Sequence, residues 1–159
     1  MYQTLMSGQR VIPKEQILPD ILILMGDLNY RIDGYKPTIM QAMSQDRYEM
    51  LINRDQLNAE IALGNVPSFF NEGQIAFAPT FKRKPYDNAS FKLKRNPAWT
   101  DRVLYHCNCQ KEVCDLELKG YDSNNLVSLS DHRPVFAQFL LKIDFEANDS
   151  ESAVAEDSE

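Results

Sequence analysis

Three short polar clusters carry the residue types that move protons and hold phosphate. Gly26-Asp27-Leu28-Asn29-Tyr30-Arg31 follows the aliphatic run Ile21 to Met25. An aspartate at the end of a strand can take a proton from water. An asparagine two positions on lies on the same side, where its amide can orient a reacting group. The same residues also suit an Asx turn closing a strand. Asn96-Pro97-Ala98-Trp99-Thr100-Asp101-Arg102 holds the single tryptophan. It reads as a polar site or as a rigid Pro-Trp corner with a surface Asp–Arg pair of little energetic worth. Ser130-Asp131-His132-Arg133-Pro134 holds one of the two histidines. Near neutral pH a histidine can donate a proton to a leaving oxygen or, when charged, steady a transferring phosphoryl group. A lone Asp-His pair is otherwise a structural feature.

Between the first and second clusters lie Lys82, Arg83, Lys84, Lys92, Lys94 and Arg95, six bases in fourteen residues opposed only by Asp87. Lys and Arg offer fixed donors to phosphate oxygens, so this loop is a candidate anion site, with a solvated basic loop as the alternative. The overall net charge of -6 does not describe the body of the chain. Seven of the 23 acids fall after Ile143, where there is no Lys or Arg, so residues 1–142 carry sixteen acids against seventeen bases. A near-neutral body does not resemble a general DNA binder. Residues 143–159 lack aromatics beyond Phe145 and are expected to be an acidic disordered tail.

Elements of two kinds must position these clusters. With 159 residues and 43% apolar content, the chain is one domain or a piece of one. Its longest uncharged apolar run is far too short to cross a bilayer, and no signal-peptide pattern opens it. The run from Asp20 to Gly26 predicts a strand buried on both faces. Residues 37–63 read as two helices, with Asp55 capping the second and Gly64-Asn65 ending it. Further strands are expected over 74–78, 102–106, 126–129 and 134–142, the last with Val135, Ala137, Phe139 and Leu141 on one face. The fold expected is mixed α and β. A strand so apolar needs neighbours that the first 20 residues do not obviously supply, which hints at an incomplete chain. Cys107, Cys109 and Cys114 with His106 could hold zinc, but their spacing matches no standard knuckle, so reduced thiols are expected and a disulfide framework is not.

The set GDLNYRI (26–32), FAPTFK (77–82), RNPAWTDRVL (95–104) and SDHRPV (130–135) resembles the inositol polyphosphate 5-phosphatases, of the endonuclease/exonuclease/phosphatase superfamily. Asp55-Gln56-Leu57 and residues 70–75 also look like that family, and the resemblance runs from about Ile21 to Leu141. It implies an α+β fold, a partial four-layer α/β sandwich lacking its N-terminal half. In residue terms it implies that Asp27 orients or deprotonates the attacking water, with Asn29 holding water or a phosphate oxygen. His132 would contact the 5-phosphate as acid or charge stabiliser, oriented by Asp101. Asp131 would sit beside a Mg²⁺ site. Lys82 would bind the neighbouring 4-phosphate, and Arg95 with Lys94 or Lys92 would clamp phosphate. Phe81 stands where the family commonly has Tyr, and Leu93 where it commonly has Lys. No stretch before Asp20 matches the family's upstream Glu and His motifs.

The activity this implies is Mg²⁺-dependent removal of the 5-phosphate from a phosphoinositide headgroup or a soluble inositol polyphosphate. Turnover by this chain without the N-terminal half-domain is expected to be low. The implied setting is cytoplasmic, peripheral at membranes, with no nucleic acid partner. A non-catalytic phosphoinositide-binding fragment and a nuclease of the same superfamily are the alternatives.

Overall fold

A computed structural model describes residues 2–4, 11–13, 19–92, 94–109 and 114–144. The expected tail over 143–159 lies outside the described residues from 145 onward, as does Leu93. Strands β1 (Tyr2–Thr4) and β2 (Val11–Pro13) form an antiparallel pair. Strand β3 (Ile21–Asp27) is followed by three helices, α1 (Lys36–Ser44), α2 (Tyr48–Ile52) and α3 (Gln56–Ala62), and then by β4 (Asn71–Glu72). Strand β5 (Asp101–Cys107) lies between β3 and β4 and is antiparallel to both. Strands β6 (Cys114–Ser123) and β7 (Val135–Ile143) form a long antiparallel pair with a register shift between Leu118 and Gly120.

Strand β3 corrects the expectation of burial on both faces. Among the described residues it pairs only with β5, and Ile23, Leu24 and Met25 are 44%, 43% and 71% exposed. A continuous aliphatic run shows that a strand can be buried, but a layer packed over each face of the sheet is what buries it.

The helical stretch divides in three rather than two. Pro37 sits in the first turn of α1, where its missing N–H costs nothing. After Ser44 the N–H groups of Gln45, Asp46 and Arg47 fold back onto the carbonyls of Ala42 and Met43, and Asp46 takes a left-handed φ of 52°, which breaks the helix. Asp55 caps α3 as expected, its Oδ1 accepting the Asn58 N–H at 3.2 Å. Gly64, at φ +76°, follows the helix end.

Two expected strands do not form, and β1, β2, β4 and β6 form where none was expected. Pairing with β5 stops at Glu72, because Gly73 runs hard against β6. A Cβ there would lie 2.7 Å from Leu118 Cδ2 and 2.8 Å from Tyr121 Cβ, so residues 74–78 leave the sheet as a loop. Residues 126–129 are turn and bend, with Leu126 83% exposed. The partner of β7 is instead β6, whose run Asp115-Leu-Glu-Leu-Lys-Gly120 alternates polar and apolar residues.

The apolar centre joins helices and loops: Ile32, Ile39, Ala42, Leu51, Phe77, Ala98 and Trp99. Trp99 is fully buried, donates its indole N–H to the Phe77 carbonyl at 3.0 Å, and receives the edge of Tyr48. Beside it runs a buried ionic network. Arg102 donates to both oxygens of Glu72 at 2.7 Å and to Asp55 Oδ1 at 2.8 Å. Tyr121 donates its hydroxyl hydrogen to Glu72 at 2.8 Å. Burial alone would lower Arg102, but the hydrogen bonds and charge of Glu72, and then Asp55, raise it above its ordinary value. Burial in turn pushes the Asp55 carboxyl up against the pull of Arg102. Arg102 is therefore not half of a surface Asp–Arg pair. It ties β5 to β4 and to the cap of α3.

Candidate active site

The β3–β5 ladder ends on a pair of aspartates. Its register runs from Ile21↔Cys107 to Asp27↔Asp101, and directly opposed residues project to the same face. Beyond the ladder the chain is stitched to the same place by backbone bonds. The Leu28 N–H donates to the Thr100 carbonyl at 2.7 Å, Phe81 and Ala98 exchange N–H···O bonds at 3.1 and 2.7 Å, the Arg83 N–H reaches the Asp131 carbonyl at 2.8 Å, and the Arg133 N–H reaches the Thr80 carbonyl at 3.0 Å. Segments 27–31, 80–83, 98–101 and 130–133 are thereby fixed against one another.

At this junction His132 Nδ1 lies 3.0 Å from Asp101 Oδ2 and 3.1 Å from Oδ1. The hydroxyls of buried Thr80 and Thr100 donate to Asp101 Oδ2 at 2.7 and 2.9 Å. A carboxylate fixed by two hydroxyls and facing Nδ1 selects the tautomer with its proton on Nδ1, leaving Nε2 for a substrate. The Phe81 ring lies 4.7 Å from the His132 ring and holds it from the side.

Asn29 adopts a left-handed φ of 61° and donates its backbone N–H to Asp27 Oδ1 at 2.9 Å. The Asx turn is thus present, and it shapes the corner on which both polar side chains stand. Arg31 Nε donates to the Asn29 carbonyl at 3.1 Å, one terminal nitrogen reaches Asn29 Oδ1, and the guanidinium lies 4.5 Å from the Phe81 ring centre. Its other terminal nitrogen is buried with no hydrogen-bond partner. Burial, and then the charge of Arg95, lowers Arg31 from its ordinary value, while Asp27 and Asp101 pull it up. Arg31 is a site residue that residue-type reasoning missed, although it stands within the quoted GDLNYRI run. Thr80 and Thr100 were missed for a different reason: nothing local marks a threonine as the partner of a distant aspartate.

Lys82 forms an ion pair with Asp131 at 2.9 Å, and this hydrogen bond holds the Asp131 carboxyl below its usual range. The Lys92 N–H donates to the Lys82 carbonyl at 2.8 Å, placing Lys92 on the neighbouring segment. Arg95 is exposed yet near enough to repel Arg31. Lys94 is exposed, and no described contact ties it to this group. Arg83 leaves the candidate anion loop: it is buried, donating to the Ala89 carbonyl and to Asn125 Oδ1.

A cleft of about 500 Å³ opens beside the pair, lined by Gly26, Asp101, Val103, Ser130, His132 and Val135. A larger cleft of about 650 Å³, between α2, α3 and residues 72–76, contains none of Asp27, Asp101 or His132. Volume alone therefore does not locate the chemistry.

A family model described as endonuclease/exonuclease/phosphatase family 2 matches residues 1–138. The chain belongs to that family. Family 2 relatives include synaptojanin of Caenorhabditis elegans, 39% identical over 125 residues, covering 77% of this chain and 11% of that protein. The type IV inositol polyphosphate 5-phosphatase 11 of Arabidopsis thaliana is 34% identical over 137 residues, covering 83% of this chain and 40% of that one. Among solved structures, the inositol polyphosphate 5-phosphatase domain of a synaptojanin, in complex with inositol (1,4)-bisphosphate and calcium, superposes with a TM-score of 0.67 at 31% identity. That match covers 90% of this chain and 42% of the other. The chain thus spans about two fifths or less of these relatives. Cimex nitrophorin, solved as a ferrous NO complex, superposes with a TM-score of 0.71 at 29% identity, covering 79% of this chain and 43% of that one. The α+β fold is of the endonuclease/exonuclease/phosphatase type, and the nitrophorin likeness shows that function on it must be read from side chains.

Proposed function

We propose that this family 2 chain carries the phosphate-handling half of a site that hydrolyses the 5-phosphate of phosphoinositides or inositol polyphosphates. The observation that carries the reading is the Asp101–His132 hydrogen bond set against Asp27 across the β3–β5 ladder. In this reading Asp27 takes the proton of the attacking water and Asn29 orients water or a phosphate oxygen. His132, held by Asp101, presents Nε2 to the leaving oxygen or to the phosphoryl charge. Lys82, Arg95 and Arg31 supply donors to the remaining phosphates, with Lys92 and Lys94 at the rim. A phosphoryl transition state needs positioning and positive charge more than covalent chemistry, which suits such a set.

The donor chemistry near Asp27 is carboxylate and amide oxygen, the kind that a hard cation such as Mg²⁺ takes. Asp131 is engaged by Lys82, so in this state it serves beside such an ion rather than as an open ligand. Mg²⁺ bound beside Asp131 would supply Lewis-acid charge at the phosphate. With Asp131 committed in this way, turnover by this chain alone is proposed to be slow. The setting proposed is the cytoplasmic face of a membrane bearing phosphoinositides, with soluble inositol phosphates as the simpler substrate.

The test is phosphate release from inositol 1,4,5-trisphosphate with Mg²⁺, chain in excess. Slow release that is abolished in D27N and H132Q supports the reading. Release at the rate of a complete 5-phosphatase domain would remove the slow-turnover part. Tight headgroup binding without any release would favour a binding module instead.

A further inference from the structure

At the end of β5 remote from Asp101 a second cluster of reactive side chains converges. Cys107 closes β5 opposite Ile21, Cys114 opens β6 opposite Ile143, and Cys109 lies between them. Cys109 and Cys114 are joined as a disulfide and Cys107 is a free thiol. This corrects the expectation of three reduced thiols: Cys109 and Cys114, five apart in sequence, lie at a Cα separation of 5.5 Å. The third sulfur belongs to the same group: all three lie within 4.8 Å of one another. Sulfurs sharing a tetrahedral zinc ion at about 2.3 Å stand about 3.8 Å apart, so once the bridge is reduced its two sulfurs part to that spacing while the Cys107 sulfur needs only a small approach. The neighbouring His106 is not a fourth ligand in this arrangement. Its Nδ1 lies 3.0 Å from the Phe69 carbonyl and its ring 4.7 Å from that of Phe69.

We propose that, with the bridge reduced, Cys107, Cys109 and Cys114 form a three-thiolate site for a thiophilic divalent d10 cation, Zn²⁺ being the probe. A dithiol supplies two electrons and two protons to the Cys109–Cys114 bond, yielding two thiols and leaving as a disulfide. Zn²⁺ then displaces three thiol protons, giving one zinc tris-thiolate with water in the fourth position. Bridge and metal exclude one another, because the disulfide consumes two of the three ligands. Six residues of strand, about 20 Å, separate Cys107 from Asp101, so the site is distinct from the phosphate-handling one.

The test uses the whole chain, reduced with dithiothreitol, freed of reductant under argon, and mixed with one equivalent of Zn²⁺ before iodoacetamide. Mass spectrometry should show all three cysteines slowed at least tenfold in alkylation, and the diamide-oxidised chain should bind zinc at least tenfold more weakly. Unchanged alkylation, protection of only two cysteines, or equal binding by the oxidised chain would overturn the site. C107S, which spares the bridging pair, should lose at least tenfold in zinc affinity, and undiminished binding would also overturn it. The alkylation count needs no variant, so a folding defect in C107S leaves the test intact.

Discussion

Asp27 and Asp101 face each other as the last pair of the β3–β5 ladder, while Asp101 also meets His132 Nδ1 at 3.0 Å. One carboxylate therefore connects two residues more than a hundred positions apart in sequence. Asp101 acts through the histidine it meets, which makes it a positioning residue for His132.

Asp101→Asn should leave His132 in place but remove the charge and put an NH₂ donor at one of the two oxygens that select its tautomer. Single-turnover phosphate release should fall about 10²- to 10⁴-fold. In the D101N/H132Q pair the loss should be far less than the product of the single losses, because the two act as a unit. Independent, multiplicative losses would show that Asp101 does not work through His132.

Lys82→Ala removes a phosphate donor and the partner of Asp131. Inositol trisphosphate affinity, by calorimetry, should drop about tenfold, in line with one charge-assisted hydrogen bond. Because Lys82 holds the Asp131 carboxyl low, a carbon-detected NMR titration should find that carboxyl moved upward in the variant.

Arg102→Met strands Asp55 and Glu72 beside each other with side chains 0% and 11% exposed. The expected cost is about 3–5 kcal/mol in urea unfolding, the penalty for leaving buried charge without its partner. A loss below about 1 kcal/mol would mean that the network is no better than a surface pair.

Gly73→Ala places a methyl against Leu118 and the Tyr121 Cβ. A destabilisation of about 1–3 kcal/mol is expected. L118A on that background should restore part of it, which thermal unfolding would read directly.

Asp87 accepts backbone N–H groups from Ala89 and Ser90, both at 2.9 Å, and these hold its carboxyl down to about 2. An unfolded aspartate titrates near about 3.9. The folded value is the lower one, so this turn is stabilised above the unfolded value, and that contribution is lost as pH falls through about 2. Protection from amide exchange at Ala89 and Ser90, relative to the unfolded rate, should fall over that acid range and stay constant near neutrality. D87N should remove the pH dependence.

The candidate site residues were legible because chemistry restricts residue type. Asp27, Asn29, Asp101 and His132 stood out from short motifs, and the ladder and backbone bonds bring them to one place. Lys82 fits the same pattern, whereas Arg83 does not. Its position in a run of bases says nothing about the Ala89 carbonyl and Asn125 that bury it. The strands at 74–78 and 126–129 were misread for a related reason. Their residues have strand-like character, yet Gly73's contact with Tyr121 and Leu118 turns the first away from β5.

By itself the sequence determined the local features: the caps at Asp55 and Gly64, the period of β7, the polar corners after β3 and before β5, and the family to which they belong. Tertiary structure decided the pairings. Opposition of Asp27 to Asp101 and burial of Arg102 between Asp55 and Glu72 depend on strand register and side-chain reach between distant segments. Local propensity acts over a few neighbours, whereas these contacts exist only once the whole chain has closed its ladders.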